Sequence, residues 1–291
     1  MAKYLDSFIE ENPVDVLIMP HIYPSETITY MKRKGMKLPL TVSVMTDYTC
    51  IPFWEETDAD YYIIPHESLT KVFTRRGMPK EKLIPLGIPV SEVCRREISK
   101  ESAREELGLS NDKKYILAAG GSMGAGNLPE MIARILPVLG ENGHLTVVCG
   151  SNVDALRRAT EAYGSDPRVS LRAQVTPLTP LIAAADVLVT KSGGLTSTEA
   201  MTIGTAIVVA HPIAGCETEN ARFMEDNALA LWAHTDDELT AKVADLLRHP
   251  EKRAEMIAKQ HKKIDPDCAR KIADILIRRT NEMMGRKTPD A

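Results

Sequence analysis

Two rhythms alternate along the chain. Short, nearly continuous apolar runs recur at Val14–Met19, Leu40–Met45, Tyr61–Ile64, Tyr115–Ala119, Leu145–Cys149, Asp186–Thr190 and Ala206–Ala210. Runs of this kind, rich in β-branched residues, predict strands buried on both faces. Between them lie longer stretches with helical period, among them Pro24–Lys34, Glu67–Arg76, Leu128–Leu139, Val153–Tyr163 and Leu178–Ala185. Glycines such as Gly35, Gly77 and Gly204 stand where these helices should stop. The segment Lys3–Glu11 predicts an amphipathic helix with Tyr4, Leu5, Phe8 and Ile9 on one face, stopped by Asn12-Pro13. A short strand is expected at Arg168–Leu171, a helix at Lys100–Leu107, and helices at Asp236–Arg248, Glu251–Lys262 and from Pro266 to about Met284.

Strands alternating with helices predict an α/β fold with parallel sheets. The reading is of two Rossmann-like, doubly wound domains with a boundary near Val93: residues 1–92 form the first, and residues 93–291, including the C-terminal helices, form the second. The first domain is expected to be incomplete, because the chain opens in a crossover helix where an α/β half ordinarily opens in a strand. A length of 291 residues accommodates two domains and a substantial core. The net charge of -4 argues against a nucleic-acid partner. The five cysteines are scattered and lack CxxC spacing, the usage of reduced thiols in a cytoplasmic protein. No run approaches the ~18 apolar residues of a membrane span, so any meeting with a membrane is expected to be peripheral, on its inner face.

Candidate chemistry concentrates in DVLVTKSGGLTSTEAMTIGTAIVVAHPIAGCETEN, residues 186–220. Here a strand, a glycine turn and a helix occur twice in succession. The turn Lys191-Ser192-Gly193-Gly194 lets backbone approach a ligand closely. Thr196 is expected to cap the following helix, with Glu199 in its first turn. Two helix N-termini beyond the carboxyl ends of parallel strands favour an anionic group, diphosphate above all. Glu199 is then placed to accept hydrogen bonds from ribose hydroxyls, although a carboxylate near a helix start is also stabilised by the dipole alone. A second glycine turn, Gly120-Gly121-Ser122-Met123-Gly124-Ala125-Gly126, follows a predicted buried strand and opens a helix, the context of a phosphate or ribose loop. No HExxH, Cys/His cluster or paired-Asp metal motif is visible, so the site is expected to need no metal or other cofactor.

KSGGLTSTEA followed by PIAGCETEN resembles the donor-site signature of diacylglycerol glycosyltransferases, the monogalactosyldiacylglycerol synthases and processive diacylglycerol β-glucosyltransferases of GT-B fold. HIYPSE and MTDYTCIPFWEETDADYY resemble acceptor-side segments of the same family. The resemblance implies inverting transfer of a hexose from a UDP-sugar to a lipid acceptor such as diacylglycerol at a membrane surface. It implies donor contacts from Gly121, Ser122, Met123, Gly124, Val175, Ser192, Gly193, Gly194, Leu195, Thr196, Glu199, Gly215, Cys216, Glu217 and Asn220. Val175 is the choice for the uracil edge. The family has proline where Ser192 stands and glutamine where Cys216 stands, which leaves the sugar open. Catalytic candidates are Asp47 and His21, each after a predicted strand, although either residue type often merely bonds nearby backbone. Phe53 and Trp54 read equally as a lipid contact or as core. The family's opening acceptor segment, with a glycine-rich turn and a histidine proposed as base, has no counterpart in this sequence. Alternatives therefore stay open: a donor-binding half or pseudoenzyme needing a partner chain for that segment, a UDP-sugar epimerase, or a polyprenyl-linked N-acetylglucosaminyltransferase.

Overall fold

The computed structural model describes residues 2–95, 98–121 and 128–285. The chain divides into two compact units, one built from the residues up to Pro89 and from Pro266 onward, the other from Val90 to Asp265.

In the first unit, helix α1 (Ala2–Glu11) leads to β1 (Val16–Met19), and α2 (Ile22–Arg33) to β2 (Leu40–Val44). Next come β3 (Tyr61–Ile64), α3 (Thr70–Arg75) and β4 (Leu83–Pro85). The four strands form a parallel sheet in sequential order, β1-β2-β3-β4. Strand β2 is buried along its whole length, and its residues alternate between two covers. Leu40, Val42 and Val44 take one side and pack with Ile63. Thr41 and Ser43 take the other, where buried hydroxyls need partners. Ser43 shares a hydrogen bond with Ser25 of α2, and Thr41 donates its N–H and its hydroxyl to Asp60. On α1, Tyr4 and Phe8 are exposed, while Leu5 and Ile9 are half-buried.

The second unit begins with α4 (Glu92–Arg95) and α5 (Lys100–Glu106), followed by β5 (Lys114–Ala119), α6 (Leu128–Leu139) and β6 (Gly143–Val148). Helix α7 (Val153–Tyr163), β7 (Val169–Arg172), α8 (Thr179–Ala184), β8 (Val187–Thr190) and α9 (Gly194–Ile203) come next. The unit closes with β9 (Ala206–Ala210), α10 (Cys216–Asp226), β10 (Leu231–Ala233), α11 (Asp236–Arg248) and α12 (Pro250–Lys263). Its six strands are parallel in the order β10-β9-β8-β5-β6-β7. The order reverses between β5 and β8, which is the switch point where a doubly wound sheet opens a crevice. Ile116, Leu145, Val189 and Val208 pack beneath α6 and α11.

The last helix, α13 (Cys268–Met283), lies against the first sheet, not the second. Cys268, Ile272 and Leu276, spaced at the helical period, complete the apolar cluster around Leu40, Val42 and Val44. The sequence reading grouped this helix with the second domain; its apolar face instead covers β2. Helical periodicity shows that a face must be buried but not which sheet receives it.

Candidate functional site

Helix α9 fixes the geometry of the richest motif. It starts at Gly194 with Gly193 as its N-cap, and no side chain caps it. Thr196 is therefore inside the first turn, not the cap expected from sequence. Glu199 is the sixth helical residue, a turn deeper than expected. The dipole account of a first-turn carboxylate does not apply there. Burial pushes the Glu199 carboxyl above its ordinary value, and among the described residues it has no ion-pair partner. Gly204 ends the helix as anticipated, in the left-handed conformation with φ of 87°.

Glu199 lines a cavity of about 540 Å³ at the carboxyl ends of β5 and β6, beside the first turns of α9, which follows β8. Gly121, Val175, Leu195 and Thr196, all expected from sequence, line it as well. Such a volume suits a small-molecule site. Gly121 has φ of 75°, which a side-chain-bearing residue adopts only with strain. The Val175 segment runs between β7 and α8, where the sequence placed it. Ser91 and Thr179 also line the cavity and escaped the sequence reading, since an isolated hydroxyl residue carries no positional signal. Ser122, Met123 and Gly124 lie outside the described residues.

The turn before α10 is tied to the turn before α9 by side chains. Gly215 has φ of 106° and precedes α10, whose first residue is Cys216, half-buried. Glu217, in the first turn of α10, faces back toward α9. Its Oε1 lies 2.5 Å from Lys191 Nζ, and its Oε2 accepts the Ile213 N–H at 2.8 Å. Ser192 Oγ donates to the Glu217 carbonyl. Asn220 is fully buried, and its Nδ2 donates to the Ser192 carbonyl at 3.0 Å. The side chains of Ser192, Glu217 and Asn220, expected from the sequence to contact substrate, are thus engaged in joining the two turns. Asn220→Ala leaves a buried carbonyl unpaired and should destabilise the chain by about 1–3 kcal/mol. A urea midpoint measured against wild type checks this.

His21 and Asp47 follow β1 and β2, neighbouring strands of the first unit, at their carboxyl ends. His21 is the N-cap of α2, and its Nδ1 accepts the Tyr23 N–H at 3.2 Å. A neutral imidazole accepting at Nδ1 carries its proton on Nε2. Of the aromatic pair, Trp54 is buried core, whereas Phe53 is 61% exposed with φ of 79°.

The model of the family described as glycosyltransferase family 28 C-terminal domain matches residues 115–272. That of monogalactosyldiacylglycerol (MGDG) synthase matches residues 1–90. Among curated relatives, the processive diacylglycerol beta-glucosyltransferase of Bacillus licheniformis is 29% identical over 258 residues, covering 87% of this chain and 66% of the relative. The enzyme of the same name from Bacillus subtilis is 29% identical over 251 residues, covering 84% and 64%. The chain spans about two thirds of the length of the curated relatives it matches. Among solved structures, S. aureus MnaA with UDP has a TM-score of 0.72 at 13% identity, over 100% of this chain and 82% of that one. Acinetobacter baumannii MurG has a TM-score of 0.67 at 17% identity, over 94% and 76%. These likenesses establish the fold as that of the GT-B glycosyltransferases and related epimerases.

Proposed function

The chain belongs to the family of glycosyltransferase family 28 C-terminal domains, and from that membership we propose that it moves a hexose from a UDP-sugar to a lipid acceptor such as diacylglycerol. One observation carries the donor half of this reading: a half-buried carboxylate, Glu199, lines a cavity at the switch point of the second sheet. Glu199 accepts hydrogen bonds from the ribose hydroxyls. The diphosphate lies over Gly121 and the α9 N-terminus, where unsatisfied N–H groups and the helix dipole favour negative charge. The backbone at Val175 meets the uracil edge.

The transfer is inverting. The acceptor oxygen bonds to the anomeric carbon as the bond to the UDP oxygen breaks on the opposite face, and the acceptor proton passes to a general base, for which Asp47 and His21 are the candidates. Asp47 suits that base better than His21, since the His21 Nδ1 already accepts a backbone N–H, which places the ring proton on Nε2. The names of the relatives support diacylglycerol as acceptor, and an acceptor of that kind would be met at a membrane surface. Among the described residues no helix is long and apolar enough to cross a membrane.

Calorimetry with UDP tests the donor half, and conversion of UDP-glucose and diacylglycerol to glycolipid tests the reaction. Absence of UDP binding would overturn the reading; release of free N-acetylmannosamine from UDP-N-acetylglucosamine alone would replace transfer by epimerisation. Because helix N-termini supply the charge stabilisation, excess chelator should leave UDP affinity unchanged. Loss of binding in chelator would show that a metal holds the diphosphate.

A further inference from the structure

Lys191 is in an electrostatically unfavourable place. It is the first residue beyond β8, and its side chain is only 15% exposed. Its stem is laid across Gly121: a Cβ built on that glycine would stand 2.5 Å from Lys191 Cε. Its ammonium meets Glu217 Oε1 at 2.5 Å, and the same carboxylate oxygen would lie 3.9 Å from a Cβ on Gly193, the α9 N-cap. The cation is thus held where the turn after β5 and the N-termini of α9 and α10 converge. Both helix ends carry partial positive charge. A half-buried ammonium among them raises the local potential further, and in the free protein Glu217 is the carboxylate that balances it.

We propose that Lys191 is a diphosphate-binding residue, kept in position by Glu217 until the donor arrives, when the phosphate oxygens take over from the carboxylate as partners of the ammonium. The inference rests on the UDP-sugar reading above and adds the residue that carries the counter-charge. The geometry explains two further features. A side chain at Gly121 would displace the lysine stem from over its α-carbon, besides straining a φ of 75°. Glu217 is oriented from two sides, by Lys191 and by the Ile213 N–H, so it fixes the position of the ammonium instead of following it. When bond cleavage leaves charge on the departing diphosphate, a cation already in place stabilises it without reorganisation.

The test compares UDP with uridine, which lacks phosphates, by calorimetry on wild type, Lys191→Met, Lys191→Arg and Glu217→Gln at two salt concentrations. Lys191→Met should weaken UDP binding about ten- to a hundredfold, flatten its salt dependence and leave uridine binding unchanged. Lys191→Arg should restore most of the loss. Glu217→Gln keeps an acceptor for the Ile213 N–H and removes the competing charge, so UDP should bind at least as tightly as to wild type. Equal UDP affinity in wild type and Lys191→Met would overturn the inference. So would a Glu217→Gln variant that loses UDP affinity, because the pair would then be a brace for the turns; this arm decides the matter even if Lys191→Met fails to fold. Wild type that binds neither UDP nor uridine would instead sink the donor-site reading itself.

Discussion

Replacing Asp186 with asparagine is expected to lower stability by about 3–5 kcal/mol, with a fall in Tm on the order of 10 °C. Asp186 precedes β8 at the end of the strand opposite the cavity. Its Oδ1 meets Lys100 Nζ at 2.9 Å, and its Oδ2 meets Arg104 Nη2 and the Tyr115 N–H, each at 2.9 Å. Arg253 stands 4.0 Å away on α12. Arg104 is 5% exposed; it also donates to the Ala184 carbonyl and stacks over the Tyr115 ring. Loss of the negative charge leaves this buried guanidinium without its counter-ion, and the cost lies in the uncompensated charge more than in the bond lost. Burial alone would raise the Asp186 carboxyl, but Lys100, the Tyr115 N–H and Arg104 together hold it below the ordinary value. A carboxyl whose folded value is depressed contributes its stability above the unfolded value, and loses it as pH falls through the folded value. Melts of the two proteins should therefore differ most near neutrality and converge in acid, below the ordinary carboxylate range of about 3.9. A constant difference across that range would place the effect in packing rather than charge.

Glu199 should show effects of opposite sign on stability and on binding. In the free protein its carboxyl is raised by burial, with no cation among the described residues to offset the cost. A raised folded value means that stability is fully present below the unfolded value and declines as pH rises through the folded one. At neutral pH the ionised form is a liability that a neutral isostere relieves. Glu199→Gln is expected to melt higher than wild type at pH 7, while Glu199→Ala weakens UDP binding by about 1.5–3 kcal/mol, the scale of hydrogen bonds to a charged group. UDP affinity should also fall in wild type as pH drops through the raised value, because the protonated carboxyl accepts fewer ribose hydrogen bonds. Calorimetry and melting curves on the same samples check both arms. A destabilised Glu199→Gln with unchanged UDP affinity would make the residue part of the scaffold.

The strands were legible because buried parallel strands require unbroken apolar runs; Ala206–Ala210 and Tyr61–Ile64 match their expected limits residue for residue. Glycines marked the turns equally well, since Gly204 and Gly215 occupy positive φ that other residues avoid. The start of α9 was misjudged because Thr196 has the chemistry of a cap, while Gly193 caps by backbone shape alone. The roles of Ser192 and Asn220 were not legible. A polar residue in a ligand-binding motif has the same spelling whether it faces the ligand or braces the turn behind it. Asp186 read as the start of a strand, and nothing local records that its partners lie at Lys100 and Arg104, more than 80 residues earlier.

The return of α13 to the first sheet makes the second unit an insertion within the first, with a consequence for synthesis. The four described strands of the first sheet are made before the second unit begins, but the helix that covers Leu40, Val42 and Val44 is made after residue 265. At typical elongation rates the delay is on the order of ten seconds or more. The second unit, contiguous in the chain, can complete its fold within that interval, while the first waits with an apolar sheet face uncovered. The nascent protein thus passes through a stage in which the second unit has all its residues and the first sheet still lacks its covering helix. Truncation before Cys268 would make that stage permanent.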